Sequence, residues 1–254
     1  MILAFTKSPA RRLATVGLVA VLFAGCATPT VTATPTPSAM PTAPLTIPPY
    51  TLGPTMSPDA CPTSAPASYS GKATVTMNTN FGAIIIAVDG SLGPHAAGSF
   101  VALSKCGFYN NILFHRIVPG FIIQAGDGIY ARMPGATMDS KMGTGTPGWT
   151  IPDDKVTTTY KRGTIAMART SAANSGGTQF FIVLDDSAAT SLGGSSANNY
   201  AIFGTVTKGM DVVDRIASVP LGGDPIIDPS TGQAQPVYMP IQPVLITSTD
   251  VTEP

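Results

Sequence analysis

Residues 114–127 read FHRIVPGFIIQAGD, and this segment decides how the surrounding chain is expected to fold. It lies across two runs, 112–117 and 121–124, that are rich in aromatic and β-branched residues and are strand candidates. Pro119 and Gly120 stand between the two runs and are turn signals. The segment therefore predicts two short strands separated by a turn, and this periodicity alone assigns no chemistry to them.

Short β-rich runs with turn signals between them continue on both sides of this segment. Residues 73–79 and 83–88 are predicted to form a hairpin, with Ile84 and Ile86 on one face. The remaining strand candidates are 164–168, 179–184, 201–206 and 243–248, and the helix candidates are 94–105 and 210–217. Many strands and only two helices predict a mainly β domain, a closed antiparallel barrel capped by two helices.

Two further blocks follow residues 114–127 at characteristic spacings. The second block joins 163–169, GTIAMAR, to 177–182, GTQFFI, and the third joins 200–204, YAIFG, to 209–213, GMDVV. Together the three blocks resemble the cyclophilin family of peptidyl-prolyl cis–trans isomerases. The resemblance covers residues from about 72 to 249, and three blocks in the family's order make it specific.

The resemblance implies an eight-stranded barrel whose outer face binds proline-containing peptides. Arg116 stands at the place of the family's catalytic arginine, and Gln124 at that of the glutamine that binds a substrate carbonyl. A second pocket glutamine falls on Gln179, and Arg169 would pair with the substrate through its backbone. The other residues that the resemblance places at the substrate are Phe121, Ile122, Phe181 and Leu192 around the proline ring, Met167 and Ala168 beside the substrate chain, and Tyr200 at the pocket wall.

These residue types suit the isomerisation of a prolyl bond. Amide resonance sets a rotation barrier of ~18–20 kcal/mol, and rotation breaks no covalent bond, so neither a nucleophile, a metal nor a cofactor is required. The guanidinium of Arg116 can donate to the amide nitrogen once twisting restores its lone pair, and this stabilises the transition state more than the planar ground state. Strand alternation places Gln179 and Phe181 on one face, with Phe180 and Ile182 towards the barrel interior.

The sequence departs from the family pattern at three places. Tyr200 occupies a position where cyclophilins commonly have His, and Ser191 stands before Leu192 where many have Trp. The spacing from Arg169 to Gln179 is one residue longer than usual. An alternative function is a non-catalytic module that holds proline-containing segments as a chaperone or scaffold, although a pure binder would not need Arg116.

Two other patterns in the sequence do not support a different function. A hydrolase built from Ser171, His115 and Asp127 lacks a nucleophile-elbow motif, and we interpret His115 as structural. Residues 143–148, GTGTPG, match a dinucleotide fingerprint literally but neither follow a strand nor open a helix, so they are predicted to be a loop.

The N-terminal 26 residues have the three-part pattern of a secretory signal: basic residues, an apolar run at 13–24, and small residues before Cys26. The apolar run is shorter than the roughly 20 residues needed to span a bilayer. Residues 22–26, LFAGC, resemble a bacterial lipobox, which would make Cys26 a lipidated N-terminus; an ordinary cleaved signal is the alternative. We therefore expect an exported protein anchored to the extracytoplasmic side of the membrane by lipid.

Residues 27–67 contain eleven prolines and ten threonines and are predicted to be a disordered linker before a domain at 68–254. If Cys26 carries lipid, Cys61 and Cys106 remain as an even pair in an oxidising compartment. We predict a disulfide between them, with two free buried thiols as the alternative.

The charge of the chain restricts its partners. Fourteen basic side chains balance fourteen acidic ones, which argues against nucleic acid because phosphate binding needs a basic excess. The expected partners are proline-containing segments of exported proteins, and we expect a monomer.

Overall fold

The computed structural model describes residues 48–56, 60–136, 141–193, 200–222, 226–227, 234–235 and 238–254. The predicted signal, Cys26 and most of the predicted linker lie outside the described residues. None of the described helices is both long enough and apolar enough to cross a bilayer.

The described residues form short strands and three helices. The strands are β1 (Lys72–Thr79), β2 (Gly82–Asp89), β3 (Ile112–Leu113), β4 (Arg116–Val118), β5 (Ile122–Ala125), β6 (Thr164–Met167), β7 (Phe180–Val183), β8 (Ile202–Lys208), β9 (Leu221–Gly222), β10 (Ile226–Ile227), β11 (Ala234–Gln235), β12 (Met239–Pro240) and β13 (Leu245–Thr252). The helices are α1 (Pro94–Lys105), α2 (Ala188–Leu192) and α3 (Met210–Ala217). The predicted hairpin and both predicted helices are confirmed. The additional helix, α2, has five residues and is too short to show a helical period.

Nine strands form one antiparallel sheet in the order β3-β13-β1-β2-β8-β6-β7-β5-β4, which curves into a half-barrel. The mainly β prediction is confirmed, but the sheet has nine strands instead of eight, and its ladder is open. The reason lies at 112–117, predicted as one strand, because its first part pairs with β13 and its last part with β5. Phe114 and His115 connect the two parts. The backbone N–H of Phe114 donates to Val244 O (2.9 Å), and that of His115 donates to Gln124 O (3.1 Å).

The main core lies between α1 and the concave face of the sheet. Phe100 of α1 is fully buried, and its ring packs against those of Tyr109, Phe180 and Phe203 at centroid distances of 5.3, 5.2 and 5.0 Å. Burial of each such ring contributes on the order of 2 kcal/mol. Phe180 and Ile182 belong to this core, whereas Phe181 packs in a separate cluster on the other face of β7, so the predicted alternation is confirmed.

The first turn of α1 is capped by a residue from a distant loop. Gly93 precedes the helix and has no side chain to cap it. The Asp154 carboxylate accepts hydrogen bonds from His95 N (3.1 Å) and Ala96 N (2.9 Å) and contacts His95 Nδ1 at 2.8 Å. A carboxylate at this end satisfies orphan amides and complements the helix dipole. This contact fixes the loop around Asp154 beside α1.

Residues 48–56 and 60–68, named here the N-terminal strap, lie against the domain. The side chain of Asn111 accepts a hydrogen bond from Gly53 N (2.7 Å) and donates one to Gly53 O (3.2 Å). A Cβ on Gly53 would lie 1.8 Å from Thr247 O, so only glycine fits there. Cys61 and Cys106 form a disulfide with a Cα–Cα distance of 5.1 Å, which confirms the predicted bridge and excludes the free-thiol alternative.

The strap changes where the folded part begins. Residues 48–56 and 60–67 fall in the predicted linker, yet their contacts belong to the domain, which therefore starts before residue 68. Composition predicts disorder here because the segment has few large apolar side chains. The compositional argument does not account for the disulfide or for the asparagine side chains that form hydrogen bonds with the backbone of the strap.

Candidate active site

One row of residues across four strands defines the candidate site. Strand pairing places Arg116 opposite Gln124, Gln124 opposite Phe181, and Phe181 opposite Ala166. Directly paired residues of an antiparallel sheet project from the same face. A guanidinium, an amide and an aromatic ring from distant parts of the sequence therefore lie side by side.

The apolar part of the site is a compact cluster. Ile122, Phe181 and Leu192 are buried together, with exposures of 4%, 2% and 6%, and the half-buried Phe121 and Tyr200 pack around them. The ring of Tyr200 meets that of Phe181 edge-on, with centroids 5.3 Å apart. The structure thus brings all the predicted residues of the proline pocket to one place.

Tyr160 was missed from the sequence because it lies outside the three blocks. Its hydroxyl donates to Tyr200 O (2.7 Å) and accepts a hydrogen bond from Tyr200 N (2.8 Å). Burial raises the pKa of Tyr160 to about 12, so this hydroxyl stays neutral. Tyr160 therefore holds the backbone of Tyr200 at the edge of the apolar cluster.

A chain of side-chain amides supports Arg116. Gln124 Oε1 lies 3.5 Å from Arg116 Nη1, a long contact, and Gln124 Nε2 donates to Gln179 Oε1 at 3.0 Å. Gln179 Nε2 donates in turn to Gly143 O (2.9 Å) and Gly145 O (3.2 Å). Both amide hydrogens of Gln179 are thus engaged within the protein, so in this structure it orients Gln124 and the loop behind it.

Asp127 holds that loop in place. It is fully buried, and its carboxylate accepts hydrogen bonds from the backbone amides of Ile129 (3.0 Å), Tyr130 (2.9 Å), Gly143 (2.7 Å) and Gly145 (3.0 Å). Charge-assisted bonds of this kind are stronger than neutral ones. Residues 143–148 form a loop, as predicted, and sequence reasoning missed the anchoring role of Asp127 although it ends the first block.

His115 is packed behind the site. It is 4% exposed, and a Cβ on Gly143 would lie 3.2 Å from its ring. Burial lowers the pKa of His115 to about 4; the charge of Arg116 acts in the same direction, and the nearby Asp127 opposes them. The ring is therefore neutral at pH 7, which agrees with a structural role.

The end of β6 differs from the prediction at one residue. Met167 was expected beside the substrate, but its side chain is 2% exposed in the main core and its N–H donates to Ala201 O (2.9 Å). Strand alternation explains this, because Ala166 and Ala168 flank Met167 and contact the apolar cluster of the site. The Arg169 side chain pairs with Asp153 at 3.4 Å.

A cavity of about 460 Å³ adjoins the amide chain. Gln124, Gln179, Ala168 and Arg169 line one part of it, and the loop from Gly143 to Pro147 lines another. A larger cavity of about 760 Å³ lies along β1, β2 and β8 and shares no residue with the predicted site. Of the two cavities, the smaller one therefore adjoins the predicted site.

Tyr238 is another residue that sequence reasoning missed. It precedes β12, and its ring centroid lies 6.0 Å from the Arg116 guanidinium carbon. Its carbonyl accepts a hydrogen bond from Ile117 N at 2.7 Å. No sequence pattern links Tyr238 to β4, because only the tertiary fold brings it there.

Comparison with known proteins agrees with this geometry. Residues 74–249 match the family model described as "Cyclophilin type peptidyl-prolyl cis-trans isomerase/CLD". The chain is 38% identical over 177 residues to a peptidyl-prolyl cis-trans isomerase of Acinetobacter baylyi, covering 70% of this chain and 84% of the relative. It is 36% identical over 181 residues to peptidyl-prolyl cis-trans isomerase B of Escherichia coli, covering 70% and 99%.

Solved structures support the fold. A cyclophilin type peptidyl-prolyl cis-trans isomerase of Cryptosporidium parvum superposes with a TM-score of 0.52 at 24% identity, covering 72% of this chain and 99% of that one. A second crystal structure of that protein, determined in the presence of the dipeptide Ala-Pro, gives a TM-score of 0.51. The region matched by the family model, 74–249, contains every predicted site residue from Arg116 to Tyr200.

Proposed function

Since the chain belongs to the cyclophilin-type peptidyl-prolyl cis–trans isomerase family and is an enzyme of that activity, we propose that Arg116 is its catalytic residue and that exported proteins are its substrates. The observation that carries the proposal is the row of Arg116, Gln124 and Phe181 on one face of the sheet. In this row a charged donor lies on the same face as an apolar cluster.

The proposed mechanism begins with the proline ring against Phe181, Ile122 and Leu192. This contact holds the residue while the preceding amide rotates. As the amide twists, its nitrogen recovers a lone pair, and an N–H of Arg116 donates to it. The same donor interacts weakly with the planar amide, so the binding energy appears mainly in the transition state. The Ala-Pro dipeptide used with the Cryptosporidium relative is a ligand of the kind that this site would take.

Substitution of Arg116 tests the mechanism in a protease-coupled prolyl assay on the full chain. Arg116→Ala should lower kcat/KM at least ~100-fold, or about 2.7 kcal/mol of barrier, with ground-state peptide affinity nearly unchanged. Arg116→Lys should recover little, because an ammonium lacks the planar fork of donors. Phe181→Ala should instead raise KM, because the ring contacts substrate and transition state alike. Arg215→Ala, at an exposed arginine of α3, is the control.

Two results would contradict the proposal in different ways. Near-normal activity of Arg116→Ala would remove Arg116 from the mechanism. A wild-type chain that binds proline peptides but does not isomerise them would favour the alternative, a module that holds such segments as a chaperone or scaffold.

The proposed location is the extracytoplasmic face of a membrane, through lipid on Cys26. The Cys61–Cys106 bridge supports export, because disulfides persist in oxidising compartments. Mass spectrometry of membrane fractions should find lipid on Cys26, and Cys26→Ala should release the protein from the membrane. A mature N-terminus at another residue would contradict the anchor.

A further inference from the structure

The edge strand of the sheet carries Arg116, and Tyr238 covers that edge. β4 is the last strand in the sheet order, so one side of it lacks a strand partner within this sheet. The carbonyl of Tyr238 accepts from Ile117 N at 2.7 Å, and the next two residues, β12, pair with β9. Tyr238 is therefore held beside Arg116 by backbone contacts that do not depend on its side chain.

The charge of Arg116 has only weak partners. The side chain is half-buried, and no carboxylate among the described residues forms an ion pair with it. Its contact with Gln124 Oε1 is long, at 3.5 Å, and its guanidinium carbon lies 6.0 Å from the centre of the Tyr238 ring. That distance is at the outer limit of a cation–π interaction.

We propose that Tyr238 is a positioning residue for Arg116, with its aromatic face stabilising the guanidinium in the orientation that donates to the prolyl nitrogen. The inference rests on the proposed function, in which Arg116 is the catalytic donor.

An aromatic face suits this task better than a carboxylate. A carboxylate would accept two in-plane N–H bonds from the guanidinium, and those are the donors that the twisted amide needs. The ring attracts the charge through its face and leaves the in-plane donors available. Tyr238 thus compensates part of the charge of Arg116 without competing with the substrate.

The test compares Tyr238→Leu with Tyr238→Phe in the full chain. Removing the ring should lower kcat about five-fold, because the orientation of the guanidinium matters most in the transition state, and should leave KM within about two-fold. Tyr238→Phe keeps the face and should stay within about two-fold of wild type in both constants. Tyr238→Met, a second non-aromatic variant, should match Tyr238→Leu if the latter folds poorly. Thermal unfolding of each variant separates loss of stability from loss of turnover.

A second readout follows the side chain itself. The NMR signal of the Arg116 Nε–H should shift in Tyr238→Leu, which lacks the ring current, and stay near its wild-type position in Tyr238→Phe. Wild-type kcat in both non-aromatic variants would overturn the inference. So would a Tyr238→Phe variant as slow as Tyr238→Leu, or a change in KM alone. An inactive wild-type chain would refute the proposed function itself, so the two failures are distinguishable.

Discussion

Lowering the pH from 7 to 4.5 should destabilise the domain through one buried imidazole, that of His115. Its pKa is about 4 in the folded chain, because burial disfavours the charged ring, against 6.5 when it is exposed by unfolding. Between these values the unfolded chain binds the proton more tightly than the folded chain does. The free energy of unfolding therefore falls as the pH falls through this window.

The magnitude follows from the difference between the two pKa values. A shift from 6.5 to about 4 corresponds to about 3.5 kcal/mol when the titration is complete, since each unit is worth about 1.4 kcal/mol. Roughly 2 kcal/mol of this should be lost between pH 7 and pH 4.5. Carboxylates whose pKa is lowered in the folded state, such as Asp89 and Asp211, lose their contribution mainly below this window.

Urea unfolding at a series of pH values measures the effect, with His115→Gln as the matched variant. Gln is neutral at every pH, so the variant should lack most of the slope between pH 6.5 and 4.5 whatever its stability at pH 7. The only other histidine, His95, is present in both proteins and cancels in the comparison. A wild-type stability that stays flat over this range, or an equal slope in His115→Gln, would refute the reasoning.

Two further predictions concern stability. Asp127→Asn should lower the free energy of unfolding by about 3 kcal/mol, because four backbone amides lose a charged acceptor. The control is Thr144→Ala, in the loop that Asp127 anchors. An equally small loss of stability in both variants would contradict the anchoring role. Replacing Cys61 and Cys106 together by Ser should lower the free energy of unfolding by up to ~4 kcal/mol, the value for a sequence separation of 45 residues. Isomerase activity should be retained at low urea. An unchanged urea midpoint would show that the bridge does not stabilise the domain.

The sequence by itself determined the local structure and predicted the main site residues. Alternation predicted the hairpin at 73–88 and the opposite faces of Phe180 and Phe181, because side chains on a strand alternate with period two. Three blocks in order identified Arg116, Gln124 and Phe181. The hairpin and the alternation are confirmed because each depends on residues close together in the chain, whereas the roles of Arg116, Gln124 and Phe181 remain predictions.

Some predictions failed because strand pairing decides them. Residues 112–117 are predicted to be one strand, yet the two ends of this segment pair with different strands. The sheet therefore has nine strands, and its two edge strands do not pair with each other. Met167 sits within the second block, but its place on β6 directs it into the core. The two-residue period of a strand cannot show which of its two faces lies towards the substrate.

Only the tertiary structure decided what surrounds Arg116. It placed the strap from Pro48 onwards against the domain, tied Gln179 to the loop held by Asp127, and set Tyr238 beside the guanidinium. Each of these contacts joins residues far apart in the sequence, where no periodicity or composition relates one to the other. Their energies depend on distances and burial that exist only once the sheet has paired, so the sequence names the proposed catalytic group and only the fold decides how it is held.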